Sequence, residues 1–120
     1  MNIEALSAHS AQEVFDYIVG ALLKQKAKSQ SADKCGLLHG PNGLKCPGGW
    51  LLSKPQVKDI GERYAIWSQL VSAGLVPHDH CNLIQDLQRV HDLMPVYKWR
   101  ENFKRVADKH GLQLRGKYYN

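Results

Sequence analysis

One stretch constrains this chain more than any other: Cys35 to Leu52, reading CGLLHGPNGLKCPGGWLL. It holds five of the ten glycines, two of the five prolines and two of the three cysteines. Apolar pairs flank a Gly-Pro-Asn-Gly turn, which predicts a β-hairpin: Leu37 to His39, the turn, then Leu44 to Cys46. Pro41 fixes φ, Gly43 supplies a positive φ and Asn42 tolerates the tight bend. Pro47-Gly48-Gly49 makes a second bend, and Trp50-Leu51-Leu52 is either a third short strand or the entry to a helix.

The flanking sequence is helical in pattern. Ser10 and Glu13 have capping-box spacing, and Val14, Phe15, Ile18, Val19, Leu22 and Leu23 then repeat at three and four. Lys24, Lys26 and Lys28 near the end of that helix favour its dipole. A second helix is predicted from Ser53 as N-cap, with Pro55 in its first turn, through Val57, Ile60, Tyr64, Trp67, Leu70 and Val71 to Gly74. Gly61 weakens it by about 1 kcal/mol relative to alanine, enough to divide it into two pieces. Asp79 is the expected cap of a third helix with Leu83, Ile84, Leu87, Val90, His91 and Met94 inward, ended by Pro95. A fourth runs from about Val96 to His110, burying Trp99, Phe103, Val106 and Ala107, and Gly111 closes it. The tail either adds a strand to the hairpin through Leu112 and Leu114 or is loose. The expectation is a single α+β domain over residues 1–120, with about four helices around a small antiparallel sheet.

Composition bounds the rest. At 120 residues with 43% hydrophobic and 22% charged side chains, the chain is an ordinary globular domain. It shows no apolar run long enough for a membrane span and no leader pattern at its amino end, so the expected compartment is the cytoplasm. Three cysteines agree with a reducing compartment and argue against a disulfide framework. The formal charge of +5 suits an acidic partner, whether nucleic acid or protein, and does not choose between them.

Several motifs together carry a resemblance. Phe15-Asp16, Leu22-Leu23-Lys24-Gln25, Cys35, Gly40 to Cys46 and Gly49 resemble a family of small uncharacterised phage and bacterial proteins. Leu87-Gln88, His91-Asp92, Trp99 and the stretch Ala107 to Leu112 extend the similarity over most of the chain. The family is marked by a cysteine, a Tyr-Arg-Gly-Pro-Asp-Gly-like turn and a Lys-Cys-Ala-Val-Gly-Cys-like strand. This chain departs from it, with Leu38-His39 at the Tyr-Arg position and Trp50 in place of a further cysteine. The resemblance implies a phage or prophage origin, with the host cytoplasm as the place of action.

The candidate sites are few. Cys35, His39 and Cys46 form C-x3-H-x6-C across the hairpin, and His78, His80 or Cys81 could add a fourth zinc ligand. Paired ligands in the common zinc modules lie two to four residues apart, so the expected state is buried structural thiols with no cofactor, and structural zinc is the alternative. His78-Asp79-His80-Cys81 is the densest cluster of ligands and bases, with a His-activated Cys81 as its enzymatic reading. With no oxyanion hole or orienting partner to be placed, the expectation is no enzyme. His91 falls on an apolar helix face and reads as a core histidine; adjacent Asp92 is expected to point elsewhere.

The basic residues are better organised. Lys98, Arg105 and Lys109 repeat at i, i+7 and i+11, Arg115 follows, and Lys117, Tyr118 and Tyr119 lie beyond it. Glu101 and Asp108 interrupt the same helix. No recognition-helix, zinc-finger or RNA-binding signature is present. The expected function is a small phage-type interaction protein that binds and obstructs a host protein or ribonucleoprotein, such as a host-defence or CRISPR effector, with Lys98, Arg105, Lys109 and Arg115 as its partner face. Nucleic-acid binding through that same face is the alternative.

Overall fold

The computed structural model describes residues 1–31, 36–61 and 66–115. The predicted Tyr64 position, Cys35 and the Lys117, Tyr118 and Tyr119 group lie outside the described residues. Among the described residues the fold is all-α, with five α-helices and no strand, which corrects the α+β expectation. No helix among them is long and apolar enough to cross a membrane.

Local signals build the helices. Helix α1 (Ala11–Gln25) starts with the predicted capping box: Glu13 N–H donates to Ser10 Oγ at 3.1 Å, and Ser10 N–H donates to Glu13 Oε1 at 2.8 Å. Its inner face buries Val14, Phe15, Ile18, Val19 and Leu22, and Lys26 ends it in the left-handed region. Helix α2 (Lys54–Ile60) has a second capping box made by Ser53 and Gln56. It stops at Gly61, whose φ of 85° most side chains would resist, and helix α3 (Trp67–Ser72) follows as a separate piece.

Helix α4 (Cys81–Leu93) packs against both α3 and α5 (Trp99–Lys109), and α1 contacts both α4 and α5. The predicted Asp79 cap does not form; His80 is the N-cap, in the left-handed region, and no side chain caps the helix. The last helix starts later than expected, because residues Val96–Lys98 make a 3-10 turn after Pro95. Phe15, Ile18, Leu22, Leu38, Leu51, Trp67, Ile84, Leu87, Trp99 and Phe103 form the closed centre of the core.

The hairpin shrinks to one contact. His39 and Lys45 form an isolated antiparallel bridge, flanked by Gly40 N–H to the Leu44 carbonyl at 2.7 Å and Cys46 N–H to the Leu38 carbonyl at 3.3 Å. Beyond it the pairing is cut off. Pro47 has no N–H to give, and Gly48–Leu51 turns as a 3-10 helix back over Leu38. Gly49 comes so close that a Cβ there would sit 1.8 Å from the Leu38 carbonyl oxygen. A third strand at Trp50-Leu51-Leu52 is therefore absent.

Glutamine side chains take the place of neighbouring strands. Gln25 Nε2 donates to the Lys45 carbonyl at 2.9 Å while Lys45 N–H donates to Gln25 Oε1 at 3.0 Å. A carboxamide thus satisfies both backbone groups as an adjacent strand would. The tail uses the same device: Gln12 Nε2 donates to the Gln113 carbonyl at 2.8 Å, and Gln113 N–H donates to Gln12 Oε1 at 2.9 Å. Residues 112–115 are therefore held beside α1 and add no strand to the bridge at His39.

The close approach at Gly49 makes a direct prediction. Gly49→Ala should cost about 3 kcal/mol or more in urea unfolding, because its neighbour is backbone and cannot rotate away. Asn42→Ala, in the exposed turn, should cost about 1 kcal/mol or less.

Candidate functional sites

The basic stripe predicted on the last helix is only half available. Lys109 Nζ lies 2.9 Å from Asp86 Oδ2, and Arg115 Nε lies 3.3 Å from Asp16 Oδ2, so both cations tie the fold together. Lys98 and Arg105 are exposed and make no ion pair among the described residues. Glu101 and Asp108 share the solvent side of α5, and Asp108 holds Lys104 at 2.8 Å. The helix surface is thus mixed in charge.

A different surface stands out at the corner between α4 and α5. Leu93 is 72% exposed and Tyr97 82% exposed, with exposed Pro95 between them. The corner is held from within, since Trp99 Nε1 donates to the Met94 carbonyl at 3.1 Å and Lys28 Nζ to the Asp92 carbonyl at 3.3 Å. Arg89, one turn before Leu93 on α4, and Lys98 are exposed beside it. The sequence does carry a signal for this patch. Leu93 and Tyr97 both fall out of the apolar register of their helices, and so have no inward position to fill.

Among the described residues the histidines and cysteines do not converge as a metal centre. His39 Nε2 donates to the Gly49 carbonyl at 2.9 Å and is 3.1 Å from the Leu52 carbonyl, which fixes it as a tie between the bridge and the following turn. Cys46 is fully buried, and burial above all pushes its thiol up to about 12. Cys35 lies outside the described residues. Among the described residues no group of three or more His, Cys, Asp or Glu side chains is set to hold a metal ion. His78, His80 and Cys81 do share a pocket, joined there by His110, which the sequence reading had not singled out.

His91 is a core residue as expected, but Asp92 does meet it. His91 Nδ1 is 2.6 Å from Asp92 Oδ1, and its Nε2 accepts the buried Ser29 N–H at 3.0 Å. Since Nε2 accepts, the ring proton sits on Nδ1 and is donated to Asp92. Gln88 Nε2 donates to the same Asp92 oxygen at 3.1 Å, while Gln88 Oε1 receives Gly48 N–H at 3.3 Å. Trp99 packs against the imidazole at 5.6 Å between ring centroids, its ring tilted by 32°. This buried network is structural: the irregular stretches that contain Ser29 and Gly48 are bound to α4 through it.

Two clefts of about 430 and 360 Å3 flank Trp50. The Trp50 ring already carries Lys45 Nζ at 4.7 Å from its centroid, a contact made within the chain. Comparison with protein-family models, curated proteins and solved structures finds no match to this chain.

Two measurements check these placements. In the native protein Cys46 should not react with a thiol reagent under conditions that label Cys81, and should react once denaturant is added. Burial pushes the Asp86 carboxyl up, but hydrogen bonds and charge from Lys109 and His110 outweigh it and hold the group below its ordinary value. A lowered folded value means the contribution is present above the ordinary carboxylate value and is lost as pH falls through the lowered one. Asp86→Asn should therefore destabilise the protein at neutral pH by about 1–2 kcal/mol, and the difference from wild type should shrink in acid.

Proposed function

We propose that this is a small helical interaction protein of phage type that binds and obstructs a host macromolecule, and that the α4–α5 corner is its contact surface. The observation that carries the reading is the pair of large apolar side chains held out on a braced corner, Leu93 at 72% and Tyr97 at 82% exposure. Interface hot spots are enriched in Tyr and Arg, and they act best on rigid supports that lose little entropy on binding. Arg89 and Lys98 at the rim suit a partner with an apolar pocket bordered by acidic side chains. The resemblance to small phage and bacterial proteins supports the origin and the mode, and a host-defence effector is the kind of target it suggests.

Nucleic-acid binding is the second reading, favoured by one observation: Lys98 and Arg105 are exposed and make no ion pair among the described residues. Tyr97 stands next to Lys98, but Glu101 and Asp108 share the solvent side of α5 and oppose phosphate contact there. The corner reading makes fuller use of the exposed surface.

A capture experiment with nuclease treatment separates the two. Tyr97→Ala and Leu93→Ala should each change folding stability by no more than about 0.5 kcal/mol, since both side chains are exposed. Tyr97→Ala should weaken a nuclease-resistant complex by about 30-fold or more, in line with a loss of about 2 kcal/mol at a hot spot. Recovery of nucleic acid alone, unaffected at Tyr97 and abolished by Lys98→Glu with Arg105→Glu, would establish the second reading instead.

A further inference from the structure

A second site lies at the other end of the α4–α5 pair. Here a pocket of about 340 Å3 is lined by His78, His80, Cys81, Asn82, Leu83 and His110, among others. Cys81 occupies the first position of α4 and is only half buried, unlike Cys46. His110 follows the last residue of α5 and lines the same pocket.

His110 is oriented by a carboxylate. Its Nε2 lies 2.8 Å from Asp86 Oδ2, which also receives Lys109 Nζ at 2.9 Å. Asp86 is held as the ionised carboxylate by these two partners, so it can only accept. The ring proton of neutral His110 is therefore on Nε2, and Nδ1 is left as the basic nitrogen. His80 is tied differently, with Nε2 donating to the His9 carbonyl at 2.8 Å. Its ring is anchored to backbone and has no carboxylate behind it.

The amino end of α4 adds the remaining element. No N-cap side chain bonds to the first turn of this helix, so the N–H groups of Asn82 and Leu83, both pocket-lining residues, lack the partner a cap would supply. Free amide donors beside a thiol are what an acyl-transfer site uses to hold developing negative charge on oxygen. Thiol, imidazole and helix end thus line one opening, and the Asp86 carboxylate stands behind the imidazole. Sequence reading could not find this set, because Asp86 and His110 meet only when α4 and α5 pack.

We propose that Cys81 is a nucleophile toward small acyl esters or thioesters, with His110 as its proton acceptor and Asp86 as the residue that positions the ring. In the first step the Cys81 proton passes to His110 Nδ1 and Sγ bonds to the acyl carbon. The bond to the alcohol or thiol leaving group then breaks, and that group departs with the proton from His110. In the second step water attacks the thioester and gives a proton to His110. Sγ leaves, recovers the proton, and a carboxylic acid is released. No oxidant or cofactor enters.

The test uses the full chain and p-nitrophenyl acetate as probe, read by nitrophenol release and by mass mapping of the acetylated residue. The expected result is one acetyl group on Cys81, absent in Cys81→Ser. The wild-type acylation rate should follow the titration of an imidazole. His110→Gln should slow it by about 100-fold or more, and Asp86→Asn should lower the rate and displace the midpoint of the pH profile. Unfolding curves identify any variant that fails to fold, and the wild-type pH profile needs no variant. Acetylation at Cys35 or at lysines alone would overturn the proposal. So would a wild-type rate that rises only with ordinary thiol ionisation, or a folded His110→Gln that matches wild type in rate and profile. The Asp86–His110 contact would then be a tie between helix ends.

Discussion

A buried imidazole holds this structure together. His91 sits at the centre of α4's inner face, accepts the Ser29 N–H through one ring nitrogen and donates to Asp92 through the other. Ser29 is itself fully buried, and its hydroxyl donates to the Leu37 carbonyl at 2.8 Å, so the imidazole reaches two stretches of irregular backbone through one residue. A buried amide left without its acceptor costs about 1–3 kcal/mol, a large share of what a domain of this size has to spare. Residues 36–52 take part in two isolated bridges, His39 with Lys45 and Gly36 with Gln30, and in no regular ladder. Besides these and the Leu37 N–H to Ser29 carbonyl bond, they are held by side chains reaching from helices: His91, through Ser29, and Gln88 from α4, and Gln25 from α1.

Several of the residues on which the sequence suggests a family resemblance fall on this network. Gln25 holds Lys45, Gly49 admits the Leu38 carbonyl, Gln88, His91 and Asp92 bond one another or the segment, and Trp99 packs against the imidazole. Read physically, the motif is a way of docking a glycine-rich segment onto a helical core without a sheet. It describes a fold. The surfaces proposed for partner binding and thiol chemistry lie at the two ends of α4, and of the resemblance residues only the Ala107 to Leu112 stretch, through His110, reaches either of them.

How much of this was legible depends on the range of the interaction. The capping boxes at Ser10 and Ser53, the break at Gly61 and the stop at Pro95 are local, and each was readable from a few consecutive residues. The hairpin was misread because apolar pairs around a Gly-Pro-Asn-Gly turn are also compatible with a single bridge. What decides between them is the approach of Gly49 to Leu38 and the claim of Gln25 on Lys45, contacts across 11 and 20 residues. The Asp92 rotamer, the ion pairs that consume Lys109 and Arg115, and the meeting of His110 with Asp86 depend on packing that no local pattern records. Exposure at Leu93 and Tyr97 was partly readable, as a break in apolar register.

Amide hydrogen exchange by NMR tests the central claim most directly, because it reads individual hydrogen bonds without altering the chain. The account predicts that the Ser29 amide, whose acceptor is the His91 imidazole, exchanges as slowly as the core amides of α4, and that Lys45 is also protected. Asn42 in the exposed turn should exchange freely. A Ser29 amide exchanging as fast as that of Asn42, while α4 remains protected, would show that the segment is not held by His91 and would contradict the account.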